Sequence, residues 1–347
     1  MNSDSRADSP CAGMPIVERR NRGSARSPNL CYELHAMAKS IALSFALLLF
    51  FNSSSPPFAK DSVAPLELLV LGSGGPGAAG RAASSYLVFI DGEARILVDA
   101  GPGSFVRLGE AKASLSNTDI VLLTHLHIDH AGEIPGLFKA RAVSASEPIV
   151  FNVWGPGGSP GHGEDAYFPS TREFLGILFG SKGAFAYLKD FAAPITLHAH
   201  DIAAPAADPV PRQIFKSADL AITAIAGHHG DAPSVIYRID HAGKSVTFSG
   251  DIDAKGWPAL RRIAKSTDLL VFNTVVLDPP GSPPILYTLH TPPQAIGVLA
   301  KEAGARGLLL SHISPAVDDS SAAVMESIHG NYAGNVTFAK DGMRARP

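Results

Sequence analysis

The sequence predicts an α/β fold, and three observations carry that reading. Short apolar runs bounded by glycine and proline alternate with longer helical segments, the pattern of strands and helices packed in layers. Hydrophobic residues make up 46% of the 347-residue chain and charged residues 18%, which suits a chain that buries a large core and not a disordered one. Residues able to bind a metal fall repeatedly just past the C-terminal end of an apolar run, so they are expected to converge along one edge of a sheet sandwich.

The first 59 residues read differently from the rest. Residues 1–36 are polar and turn-rich, with Arg19, Arg20 and Arg22 and no hydrophobic period. Met37-Ala38-Lys39-Ser40 then opens an apolar run from Ile41 to Phe51, closed by small residues up to Ala59. A positive start, a short apolar centre and a small-residue exit make a secretory signal peptide, and the run falls short of the ~20 residues a membrane-spanning helix needs. The expectation is therefore that Met37 is the true start and that residues 1–36 are a non-native or disordered extension. Residues 37–59 are then the signal, and 60–347 form a secreted or periplasmic catalytic domain with no stable membrane span. Cys11 and Cys31 both precede Met37, so the exported part holds no cysteine and needs no disulfide. Residues 1–59 carry 6 of the 29 basic and 4 of the 32 acidic residues, which leaves 23 against 28, a net charge of −5. On that balance nucleic acid is an unlikely partner.

Leu66–Leu71 reads as a strand, followed by Gly72-Ser73-Gly74-Gly75-Pro76-Gly77. That loop has neither the Lys-Ser/Thr of a phosphate cradle nor a GxGxxG helix start, so it reads as a tight turn beneath the site. Ser85–Ile90 and Ala94–Asp99 form a hairpin about Asp91-Gly92-Glu93, and Asp99 at its end is expected to orient a metal ligand. Phe105 to Ala113 reads as a helix. Asp119–Thr124 is a strand that runs into His125-Leu126-His127-Ile128-Asp129-His130. Imidazole and carboxylate are ligands of Zn²⁺ and similar borderline metals, and a buried cluster of them without a cation is costly. Pro148–Trp154 is the next strand. An insertion from about residue 155 to 208 follows, expected to shape the pocket, with helices over Thr171–Phe179 and Gly183–Phe191. His162 reads as a surface residue, and His198 and His200, on one face of a strand, as structural.

In the second half, strands are expected at Leu220–Ala226, Ser234–Asp240, Ser245–Ser249, Leu269–Thr274 and Gly307–Ser311. The first ends in Gly227-His228-His229-Gly230, the third in Gly250-Asp251 and the last in His312. A helix over Pro293–Ala303 follows Leu289-His290-Thr291. Either His228 or His229 could point inward.

Together, His125, His127, Asp129 and His130, the His228-His229 pair, Ser249-Gly250-Asp251 and Ser311-His312 resemble the metallo-β-lactamase superfamily over roughly Leu66 to Phe338. The resemblance implies an αββα sandwich with two divalent metal ions, expected to be Zn²⁺, at one edge. It implies that His125, His127 and His229 hold one metal and Asp129, His130 and His312 the other, with Asp251 bridging. The run His229-Gly230-Asp231-Ala232-Pro233 through Tyr237-Arg238 resembles the ribonuclease Z and arylsulfatase-like branch, which favours His229 over His228. In that branch a His followed by Ser or Thr precedes an Ala-rich helix that leads to the last strand and ligand His, so the implied role of His290 is to assist the leaving group. Asp129 and His290 are taken as catalytic, Asp129 as a ligand also.

The implied reaction is hydrolysis of a small-molecule sulfate ester or phosphodiester by a hydroxide shared between the metals. Members that open β-lactams generally lack the Asp at position 251, which disfavours that activity. A ribonuclease Z-like RNA endonuclease and a β-lactamase-like hydrolase are the alternatives, and a metal-binding protein without chemistry is the non-enzymatic one.

Overall fold

A computed structural model describes residues 63–77, 79–161, 167–203 and 208–347. The extension at 1–36, the signal peptide at 37–59 and His162 lie outside the described residues.

The first half supplies β1 (Leu66–Gly72), β2 (Ser85–Ile90), β3 (Glu93–Ala100), β4 (Ile120–Leu122), β5 (Ile149–Pro156) and β6 (Ile195–Ile202). The second supplies β7 (Arg212–Ser217), β8 (Leu220–Ala226), β9 (Val235–His241), β10 (Lys244–Phe248), β11 (Leu269–Asn273), β12 (Gly307–Ser311), β13 (Asn335–Phe338) and β14 (Arg344–Ala345). Two seven-stranded sheets result, ordered β14-β1-β2-β3-β4-β5-β6 and β13-β12-β11-β10-β9-β8-β7. Each half thus builds its own sheet, except that β14 returns to cover the open edge of β1.

The period of two along the strands sorts side chains into layers. On β1, Leu66, Leu68 and Val70 face the second sheet while Leu69 and Leu71 face the helices outside. On β4, Ile120 and Leu122 divide from Val121 and Leu123 in the same way, and on β12 Leu309 divides from Leu308 and Leu310. Strands apolar on both faces need cover on both, which is why these runs lack polar alternation. The outer cover of the first sheet is α1 (Ser104–Glu110), α2 (Ile128–Ala131), α3 (Ile134–Val143) and α4 (Thr171–Phe179). That of the second is α5 (Trp257–Ile263), α6 (Pro293–Ala303), α7 (Pro315–Asp319) and α8 (Ser321–His329). The expected αββα sandwich is the observed one. Among the described residues no helix is long and apolar enough to cross a membrane.

Helix α4 begins where a capping box fixes it. Ser170 Oγ accepts from the Glu173 amide at 3.2 Å, and the Glu173 carboxylate accepts from the Ser170 amide at 2.8 Å. The stretch Gly183–Phe191, expected as a helix, is a 3₁₀ turn over Ala186–Lys189, whose bond from the Leu188 amide to the Phe185 carbonyl turns both side chains to the core. Within the stretch 155–208, β6 pairs along its whole length with β5 and forms the edge of the first sheet.

Strands β3 to β6 are mutually parallel, as are β10 to β13, so their C-terminal ends collect at one rim. The sheets are stitched there, the Val235 amide donating to the Thr124 carbonyl at 2.7 Å and Tyr237 Oη to the Leu123 carbonyl at 3.1 Å. The loop after β1 is held from the other end of the chain. Asp341 accepts from the Ser73 amide and hydroxyl, the Ala82 amide and Arg107 Nε, at 3.0, 2.7, 2.8 and 3.0 Å.

Candidate metal centre

The stretch from Thr124 to His130 leaves β4 at that rim, enters α2 at Ile128, and is fixed by Asp99, the last residue but one of β3. Asp99 Oδ1 accepts from the Thr124 amide at 2.7 Å, and Oδ2 accepts from Thr124 Oγ1 and from His130 Nδ1, both at 2.8 Å. The carboxylate therefore places the His130 proton on Nδ1 and leaves Nε2 to face the centre.

The second half closes on the same point. Oδ2 of Asp251 lies 3.8 Å from His125 Nε2 and 3.7 Å from each of His130 Nε2, His229 Nε2, His290 Nδ1 and His312 Nε2. Asp129 Oδ2 lies 3.1 Å from His312 Nε2 and 3.8 Å from His130 Nε2. Gly250 clears the way for Asp251: its φ of +55° is left-handed, and a Cβ there would stand 2.8 Å from Cβ of Thr124. Gly75 does the same for His312, since a Cβ would meet the His312 carbonyl at 3.0 Å and Nδ1 at 3.2 Å. The turn after β1 accordingly packs against the site, as expected. Asp99 and His312 themselves adopt left-handed φ values of 54° and 53°. Such conformations cost about 1–3 kcal/mol each and persist where the surroundings impose them, as at functional sites.

The donor set fits metal ions. Four groups of side chains present ligand atoms within 4.8 Å of one another: His125, His127 and His229; His125, His130 and Asp251; Asp129, His130 and His312; and His229, Asp251 and His290. Nε2 of His130 and Nδ1 of His290 are buried without a hydrogen-bond partner among the described residues. Nε2 of His125 and Nδ1 of His127 lie 3.1 Å apart, a distance two lone pairs tolerate only with a proton or cation to share. His229 donates Nδ1–H to the Leu289 carbonyl at 2.7 Å, which frees its Nε2 for the centre.

The electrostatics agree. Burial holds His125 well below the usual imidazole range, and burial pulls His290 down to about 4. Burial also works to raise Asp251, but the surrounding imidazoles, His312 foremost, outweigh it and keep the carboxylate ionised far below its ordinary value. For Asp129 the hydrogen bond from His312 overcomes burial and brings it to about 2. His130 moves the other way: burial opposes its charge, yet Asp99 prevails and raises it to about 9.

Every residue expected at the site except His228 is at this centre. His228 turns away and pairs through Nδ1 with Asp253 Oδ2 at 2.7 Å. His198 and His200 lie elsewhere, on β6, where the His200 ring stacks on Trp154 at 4.7 Å. Sequence reading missed Asn273, whose Nδ2 donates to Asp251 Oδ1 at 2.7 Å and so leaves Oδ2 for the centre. The available signal was a polar residue closing the apolar strand β11. It also missed Phe168, whose ring lies 6.3 Å from that of His127.

A family model for the beta-lactamase superfamily domain matches residues 94–313, and the chain belongs to that superfamily. The class defined by fold and site is a metal-dependent hydrolase. Within it the chain is similar to ribonuclease Z. It is 28% identical over 270 residues to the enzyme of Mycobacterium sp. (strain KMS), covering 73% of this chain and 85% of that one. It is also 28% identical over 261 residues to that of Mycobacterium bovis (strain BCG / Pasteur 1173P2), covering 73% and 87%. Among solved structures it shares its fold with a metallo-beta-lactamase fold protein of Bacillus subtilis (TM-score 0.59, 22% identity, 81% of this chain and 99% of that one). The short form of human tRNase Z is similar in fold too (TM-score 0.58, 20% identity, 81% and 99%).

These relatives overturn the expectations of a small-molecule ester as substrate and of nucleic acid as an unlikely partner. The error lay in using net charge. A sum over residues 60–347 says nothing about the charge at the site, where any cations bound by the His and Asp cluster would draw an anion whatever the remaining surface carries.

Proposed function

We propose that this protein hydrolyses phosphodiester bonds in RNA at the Asp251-centred site. The observation that carries the reading is the similarity to ribonuclease Z over 73% of the chain, beside the cluster of His and Asp donors in the fold. His125, His127 and His229 would hold one divalent cation and Asp129, His130 and His312 a second, with Asp251 between them. Zinc suits this imidazole-rich set. Bound there, the cations supply Lewis acidity, polarising the phosphoryl group and activating water.

The chain's own residues do the rest. Asp99 orients His130, the Leu289 carbonyl orients His229, and Asn273 fixes the rotation of the Asp251 carboxylate. Buried and held down at about 4, His290 is neutral near pH 7 and carries one ring N–H. A neutral imidazole N–H aimed at the leaving oxygen stabilises the charge that develops there as the P–O bond breaks.

The signal peptide read at residues 37–59 belongs to the same proposal, since export would restrict the substrate to RNA outside the cytoplasm. Mass spectrometry of the mature chain decides that point, and retention of Met1 rules export out. For the activity, the protein is incubated with a precursor RNA, with and without a chelator. Chelator-sensitive endonucleolytic cleavage is expected. Cleavage that survives complete metal removal, or none in protein replete with zinc, rejects the reading.

A further inference from the structure

His228 sits next to a centre residue yet is no part of the cluster. Its imidazole is clamped to Asp253, whose carboxylate is 7% exposed and also accepts from the Lys255 amide at 2.8 Å. The Asp253 amide returns a bond to the His228 carbonyl at 2.9 Å, so the two residues lock each other. A carboxylate only accepts, so the shared proton stands on Nδ1, and in the neutral ring it is Nε2 that carries the lone pair. Nε2 has no partner among the described residues and is not closed off, the side chain being 28% exposed. His228 lines a cleft of about 250 Å³ between residues 159–161 and 227–233, which His229 also lines. The cleft is smaller than the roughly 300–1,000 Å³ that drug-sized ligands fill, and its walls are mostly glycine, alanine and proline.

We infer that His228, held by Asp253, is a specificity residue whose Nε2 accepts a hydrogen bond from the 2′-hydroxyl of the ribose adjoining the scissile phosphate. The inference rests on the RNA reading above. His229 Nε2 stands 3.7 Å from Asp251 Oδ2 and the same residue lines this cleft, so a nucleotide whose phosphate sits at the centre has the cleft beside it. A lone pair there repels phosphate oxygens and takes a donor, and the 2′-hydroxyl is the donor that RNA carries along its backbone beside every phosphate.

The test maps the cleavage position with wild-type protein, then compares that RNA with the same RNA carrying a single 2′-deoxynucleotide beside the cleaved bond, on either side in turn. One deoxy substitution is expected to lower wild-type kcat/KM about fivefold to tenfold, the scale of one hydrogen bond. His228→Ala should lose about as much on the all-ribose RNA and show no further deoxy penalty. His228→Gln, whose amide oxygen also accepts, should recover part of both. Metal content and melting temperature equal to wild type certify that the variants are folded. A full deoxy penalty persisting in metal-replete His228→Ala overturns the contact, as does equal cleavage of both RNAs by wild type, and either result leaves the RNA reading standing. Failure of the wild type to cleave any RNA overturns that reading and the contact with it.

Discussion

The two halves of the molecule bring their ligands to one point by different means. The first half delivers His125, His127, Asp129 and His130 from one contiguous stretch, the loop after β4 and the turn of α2, so their mutual geometry is set by local backbone and by the Asp99 carboxylate beneath. The second half delivers His229, Asp251, His290 and His312 from three strand ends and a helix start, and only the completed sheet brings them together. A contiguous loop gives a robust half-site, whereas dispersed residues make the centre depend on correct packing of the whole fold. The central position is on the dispersed side, because Asp251 is the group near which five imidazoles gather.

The comparison can be broken most strongly at that centre. Asp251→Ala should cost at least about a thousandfold in kcat and deplete the protein of metal, read by turnover and by elemental analysis. Metal retained at wild-type stoichiometry would show that the loop half suffices alone. His290→Ala separates binding from chemistry within the second half, with kcat down about a hundredfold or more and metal unchanged. Loss of metal in that variant would make His290 a ligand, which the fourth ligand group allows. On the loop side, Asp99→Asn keeps the shape but weakens the anchor of His130, and metal affinity should fall about tenfold to a hundredfold with kcat of the reloaded protein less affected.

The gentlest perturbation, which changes no residue, is of pH. His130 is raised from 6.5 to about 9 in the metal-free protein, so its pairing with Asp99 contributes stability that is complete below pH 6.5 and lost as pH rises through 9. A cation at Nε2 must displace that proton. Metal affinity should therefore climb by up to about tenfold per pH unit between 6.5 and 9 and then level off, while the melting temperature of chelated protein falls over the same window. Titration calorimetry in buffers of different ionisation enthalpy counts the released proton, and an affinity flat across the window would put the proton elsewhere.

What could be read without coordinates follows the same division. The loop motif is legible because its chemistry is contiguous, and Asp99, Asp251 and His312 are legible because each closes an apolar run. Asn273 and the His228–Asp253 pair are not, since each acts through a partner 22 or 25 residues away and no spacing rule links them. Strand β7 escaped because four of its six residues are exposed, which leaves no alternation to read. Helix α5 is seven residues long and opens on Trp257-Pro258, where proline is at home in a first turn, and it was not read from the sequence. The substrate class was misjudged for a different reason, since a whole-chain charge was asked a local question.

The four bonds that Asp341 accepts have a consequence for how the protein comes to be active. They anchor the turn that packs against His312, and Asp341 lies 29 residues beyond His312. Translation proceeds from the N-terminus, so the complete loop motif leaves the ribosome long before that brace exists. The loop motif made first is therefore only half a site, and the turn against His312 is braced only once the segment carrying Asp341 has been made and docked.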